Sequence, residues 1–239
     1  YAPLTKTEQA VLDIEHYINS RDFHKQFPAS GEDVKVMAVR KGNDLILTVA
    51  LAMVDRYVES EEAYFRIKEE IKENLLEKIK SDLSFDNVKL YINTLDVRGK
   101  GVNGVYLTIA GTSADCADSG EVGRGNQPNG VISMLRGGGV EAAAGKNPTS
   151  HVGKIYNLLA QKIADRIYTE VAGVTEVDVH IVSQIGRPIN DPCVLNPKLV
   201  LDKVELKSVE AQVKEILLDE FDHVNDFCRK LAQGKIPIC

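Results

Sequence analysis

Between Gly123 and His151 the chain reads "GRGNQPNGVISMLRGGGVEAAAGKNPTSH", and half of the chain's 18 glycines lie between Gly111 and Gly145. Glycine gives up more backbone entropy than any other residue. Such density therefore signals unusual dihedrals or a main chain that must come close to a ligand. The same region carries Arg124, Arg136 and Lys146, with Asp115, Asp118, Glu121 and Glu141 among them. Asn147 and Pro148 form an N-cap and first-turn pair, which predicts a helix start just after Lys146. Its ammonium would then sit where free backbone N–H groups favour an anion. Known phosphate motifs do not fit. Five residues separate Gly139 from Gly145, Asn147 follows the lysine where Ser or Thr is needed, and "GRGNQPNG" is not GxGxxG. The residues alone leave two readings: a phosphate or nucleotide cradle, or a solvated loop with ordinary surface charges. Asp118 reads as a turn residue or, beside cationic phosphate ligands, as a group for Mg²⁺ or an ammonium.

Other chemistries have less support. Cys116, Cys193, Cys228 and Cys239 lie far apart and form no CxxC pair, which reads as reduced thiols in a cytoplasmic protein. The five histidines show no HxxxH or HxH spacing, so zinc is not expected. A net charge of -6 and a pI near 5.5 argue against nucleic-acid binding as the default. No long apolar run predicts a membrane span, and the start "YAPLTKTEQAV" does not read as a signal peptide. Tyr1 is not an initiator methionine, so the chain reads as a fragment of a longer protein.

The positioning elements can be read from periodicity. Thr5 and Glu8 have capping-box spacing, with Val11, Ile14 and Ile18 following and Phe27-Pro28 closing one helix. "DVKVMAV" and "LILTVALAMV" read as strands joined by the turn "KGND". Ile67, Ile71, Leu75, Ile79 and Leu83 repeat every fourth residue on a charged background, which predicts an amphipathic helix. "NVKLYINTL" and "GVYLTIAG" read as strands. A second series repeats this grammar: a helix on Ile155, Leu158, Leu159, Ile163 and Ile167, strands "EVDVHIVSQI" and "CVLNPKLVLD", and a last helix on Val213, Ile216, Leu217, Phe221 and Val224 that Gly234 stops. The expected class is α+β, two units with mostly antiparallel sheets, residues 1–111 and 112–239, the glycine-rich segment opening the second.

At this point a resemblance enters. "APLTKTE", "GEDVKVM", "VGRGN", "GRGNQPNG", "EAAAGKNPTSHVGKIYN" and "SQIGRPINDP" resemble, in the same order, motifs of the archaeal class of methionine adenosyltransferase, or S-adenosylmethionine synthetase. The resemblance spans essentially the whole chain. It implies two of three intertwined β-α-β-β-α-β units, paired in a homodimer with active sites at the interface. It implies a reaction of ATP with L-methionine: the sulfur attacks C5′, and the displaced triphosphate is hydrolysed to phosphate and pyrophosphate. Mg²⁺ neutralises the phosphates, and many members also use K⁺. Lys146 resembles the family lysine on the phosphates, and Arg124 the arginine that holds the triphosphate. Asp118 resembles the aspartate of "DxGxxGR". Asp33 and Lys35 resemble a "DxK" pair whose lysine lies near the triphosphate. Gly123 and Gly145 fall in the same nucleotide-binding set, and no metal ligand is assigned.

Three departures qualify the match. Ser119 stands where archaeal members carry an acid, "RGGG" resembles the bacterial and eukaryotic class, and Ser150 and Val152 replace that class's later lysine and aspartate. The family's N-terminal "GHPD" motif does not occur in the sequence. The expectation is therefore a chain that is inactive alone. The alternative is a non-catalytic or degenerate nucleotide-binding module that needs a separate N-terminal part.

Overall fold

The computed structural model describes residues 1–82, 85–112, 127–133, 135–139, 142–184 and 186–238. The chain forms an α+β fold of two compact units. The first is Thr5–Gly120; the second joins Tyr1–Leu4 to Glu121–Cys239.

In the first unit, Thr5 caps α1 (Lys6–Ile18): its Oγ1 accepts from the Glu8 N–H and the Glu8 carboxylate accepts from its own N–H. One helix running to Phe27 was expected, but two are found. Asn19 ends α1, and the Ser20 hydroxyl accepts from the Phe23 N–H to start α2 (Arg21–Gln26). The serine offers the backbone a fresh cap, which lets Phe23 turn into the core. Strand β1 (Ser30–Lys41) and β2 (Asp44–Val54) then form the expected antiparallel hairpin through Gly42-Asn43. Every second residue of β2, from Leu45 to Met53, is buried against α1 and α3 (Glu61–Asp82). Tyr64, Ile71, Leu75 and Ile79 form the buried stripe of α3.

Strand β3 (Asn87–Ile92) runs parallel to β2 from Asp44 to Val49, and β4 (Leu107–Thr108) runs parallel to it at Met53–Val54. The strand read from "GVYLTIAG" is thus reduced to two residues, and Ile109 is exposed. Leu51 lies between the two pairings, and the side chain of Asn93 completes the ladder there. Its Oδ1 accepts from the Leu51 N–H at 2.8 Å, and its Nδ2 donates to the Leu51 carbonyl at 2.9 Å. The amide therefore stands in for a peptide group. Its backbone at φ 43° is a conformation that asparagine tolerates better than most residues. Nδ2 also donates to the Tyr64 hydroxyl, which donates to Asp96, while Lys68 donates to Asp96 and to the Asn93 carbonyl.

In the second unit, α4 (Val152–Glu170) packs on a hairpin of β5 (Val174–Val182) and β6 (Val194–Leu201). Two helices follow, α5 (Leu206–Asp222) and α6 (Val224–Ala232), divided at His223 where one helix was expected. Gly234, at φ 67°, ends α6, with the Lys235 N–H bonded to the Lys230 carbonyl. Arg166 of α4 pairs with Asp219 and Glu220 of α5, and Lys162 joins Glu220. The longer strand pairings of the chain are antiparallel. Among the described residues, no helix is long and apolar enough to cross a membrane.

Tyr1–Leu4 add to β5. Ala2 and Val177 exchange both backbone hydrogen bonds, at 3.0 and 2.8 Å. Arg136 fastens this addition: its guanidinium donates to the Pro3 carbonyl at 2.6 Å, pairs with Glu176 at 2.9 Å and covers the Tyr1 ring at 4.4 Å.

Candidate active site

The candidate site forms around the loop that leads into α4. Asn147 is not the N-cap of this helix, as its neighbour Pro148 suggested. Its Oδ1 accepts from the Thr149 and Ser150 N–H groups and so closes a separate turn over 148–150. The helix starts at Val152, and its cap is His151, whose Nδ1 accepts from the Gly153 N–H at 3.1 Å. A short turn thus intervenes because Asn147 spends its acceptor locally. Lys146 lies beyond that turn, outside the first turn of α4, where the helix dipole is strongest. Its ammonium bends back onto the Ala142 carbonyl at 2.6 Å, and Gly145 beside it has φ 71°.

A second lysine converges on the same loop. Lys154, in the first turn of α4, is 5% exposed, and its Nζ donates to the Lys146 carbonyl at 3.0 Å. Sequence reasoning passed it over, since a lysine in a helix normally extends into solvent. Beside α4 lies a groove of about 540 Å³. Gln127 and Asn129, Gly137–Gly139, Asn157 and Gln161, and Asp178 to Ser183 at the end of β5 line it. Gly139 is needed at its wall: a β-carbon there would collide with the Asn157 side chain, and the Gly139 carbonyl accepts from Gln127 Nε2 at 3.0 Å. Apolar side chains such as Tyr156, Val179 and Ile181 share the lining with these amides, a mixture that can bury a ligand and orient its polar groups. The Tyr156 hydroxyl donates to the Ile189 carbonyl, tying "GRPINDP" to α4, and burial raises its pKa.

Of the residues singled out from sequence, Lys146 and Gly145 lie in this second unit. Asp33 and Lys35 lie on β1 of the first. Asp33 sits in a bulge between Ser30 and Val34, where the chain crosses Gly111 so closely that a β-carbon on Gly31 would lie 2.5 Å from the Gly111 carbonyl. The Asp33 N–H donates to that carbonyl at 3.0 Å, and its carboxylate accepts from the Tyr106 hydroxyl at 3.5 Å. Lys35 is exposed on the outward face of the sheet. Asp118, Gly123 and Arg124 lie outside the described residues. Among the described residues, no three His, Cys, Asp or Glu side chains gather as a metal site.

Comparison with known proteins places the chain in a family. Residues 1–235 match the S-adenosylmethionine synthetase (AdoMet synthetase) family. Relatives called S-adenosylmethionine synthase include that of Pyrobaculum aerophilum, 46% identical over 241 residues, and that of Hyperthermus butylicus, 44% identical over 246. That of Thermoplasma acidophilum is 42% identical over 240 residues. Each alignment covers 100% of this chain and 59%, 58% and 60% of the relative, respectively. The protein is thus of the α+β class. The chain belongs to the S-adenosylmethionine synthetase family, and it spans about three-fifths of the length of the curated relatives it matches.

Proposed function

We propose that this chain is part of a methionine adenosyltransferase that forms S-adenosylmethionine from ATP and L-methionine, releasing phosphate and pyrophosphate. The observation that carries the reading is the match over residues 1–235, with Lys146 on the loop that leads into α4. Methionine sulfur is a competent nucleophile without a general base. The barrier therefore lies in stabilising the triphosphate as it leaves C5′. Lys146, Arg124 and Lys35 supply fixed cations for it, with Gly123 and Gly145 allowing close main-chain approach. Asp118 and Asp33 orient methionine and the nucleoside. The relatives' greater length supports a chain that works within a longer polypeptide, in which residues 1–111 and 112–239 form two of the family's three repeats.

Mg²⁺, with K⁺ beside it, would neutralise phosphate charge. Among the described residues, no group of three His, Cys, Asp or Glu side chains gathers to cage such an ion. A homodimer is part of the proposal. Rows Met37–Thr48–Tyr91 and Val39–Ile46–Lys89 cross the outward face of the first unit's sheet. Met37, Val39, Ile46 and Tyr91 there are 57, 53, 41 and 47% exposed. Lys35, one row along, belongs to this same face, which suits an active site completed at the interface.

Incubation with ATP, methionine, Mg²⁺ and K⁺, followed by mass spectrometry, tests the reading. The native polypeptide carrying the chain should form S-adenosylmethionine, whereas the isolated chain should not. Failure of the native polypeptide, with ATP still bound, would favour the second reading, a non-catalytic nucleotide-binding module. The coverage of only three-fifths of each relative is what supports that alternative.

A further inference from the structure

A buried ammonium group needs partners, because removing a charge from water is unfavourable unless it is paired. Lys154 is 5% exposed, yet its one partner among the described residues is the Lys146 carbonyl, 3.0 Å from Nζ. An ammonium carries three donors, so one carbonyl leaves the group under-coordinated. Its place adds to the imbalance. Lys154 lies in the first turn of α4, the positive end of the helix dipole, where a cation is disfavoured. Lys146, half-buried and ahead of α4, likewise has a single described acceptor, the Ala142 carbonyl. Neither lysine forms an ion pair with a carboxylate among the described residues. Two ammonium groups and a helix N-terminus therefore converge on the loop 142–146.

We propose that Lys154 is a second lysine of this anion site, contacting phosphate oxygens of a polyphosphate together with Lys146. The inference rests on the adenosyltransferase reading for its substrate but not for its ligand chemistry. A chain of linked phosphates suits the site because it can meet two separated cations at once. Each ammonium donates to one loop carbonyl among the described residues, which leaves it further N–H bonds for phosphate oxygens. Lys154 would act by binding and orienting the leaving phosphates, without forming or breaking a bond.

Titration calorimetry of the chain with inorganic tripolyphosphate tests this. Lys154→Met should weaken binding about 10- to 100-fold, as expected for loss of one charge-assisted contact. Lys154→Arg, which keeps the charge, should remain near the original affinity. The melting temperature of Lys154→Met without tripolyphosphate should be no lower, because a poorly compensated buried charge is removed; a purely structural lysine would show a fall. If Lys154→Met is poorly folded, the same comparison is made with Lys154→Gln. Equal tripolyphosphate affinity in the charged and uncharged variants overturns the proposal, as does an unmodified chain that does not bind tripolyphosphate. Either result leaves the adenosyltransferase reading standing, since product formation by the native polypeptide tests that separately.

Discussion

At the scale of single residues, Lys146 and Asn93 illustrate two different demands. Among the described residues the Lys146 ammonium bonds within its own loop, so its removal should disturb function more than folding. Lys146→Ala is expected to lower kcat/KM of the native polypeptide about 100-fold or more, with an unchanged melting temperature. Steady-state kinetics beside thermal unfolding checks this, and unchanged kinetics would remove the lysine from the site. Asn93 is the reverse case. Asn93→Ala orphans the buried N–H and carbonyl of Leu51, which should destabilise by on the order of 1–3 kcal/mol per group. Asn93→Gly separates the causes, since glycine accepts φ 43° but has no amide. Denaturant titration should show it destabilised nearly as much as alanine; full rescue by glycine would mean the dihedral is what matters. Neither Asn93 nor Lys154 was legible from sequence. Asn93 fell within the strand read from "NVKLYINTL", and a lysine in a helix reads as solvated. Only partners distant in the chain, such as Leu51 for Asn93, change those readings.

At the scale of elements, much was legible because one face of each is buried. The fourfold spacing from Ile67 to Ile79 could serve only a helix lying on a core, and β2 alternates as a half-buried strand must. The helix divisions at Asn19–Ser20 and His223 were not legible, because hydrophobic periodicity continues through both. The pairing of α4 with α5 makes a pH prediction. Arg166 holds Glu170 and Asp219 below their ordinary values of 4.5 and 3.8, chiefly through hydrogen bonds. A carboxylate lowered in the fold stabilises above its ordinary pKa and loses that contribution as pH falls through the lowered value. Asp165, whose pKa is raised chiefly by desolvation, works in the opposite sense, at and above its ordinary value of 3.8. Melting temperature should therefore drop as pH falls below about 4.5, and Arg166→Gln should flatten that drop. An equally steep acid limb in the variant would assign the drop to other groups.

At the scale of the whole molecule, the outward sheet face makes the remaining prediction. Charges placed among Met37, Val39, Ile46 and Tyr91 should oppose burial of that face. Met37→Glu with Tyr91→Glu is expected to give a monomer by light scattering, with circular dichroism unchanged. An unaltered dimer would place the interface elsewhere, and a monomeric parent chain would remove the dimer from the proposal for this segment. The class of fold could be read from the sequence, but the docking of Tyr1–Leu4 onto β5 could not. Four residues carry no periodicity, and Gln161, which donates to the Tyr1 carbonyl, lies 160 positions away.

That docking also sets an order of assembly. During synthesis, the first unit can complete its core before the second has been made, while Tyr1–Leu4 stay tethered ahead of it. Val177 and Arg136, which receive them, emerge only later, so closure spans most of the chain and carries the entropy of a long loop. Residues Tyr1–Leu4 are thus among the last to find their place.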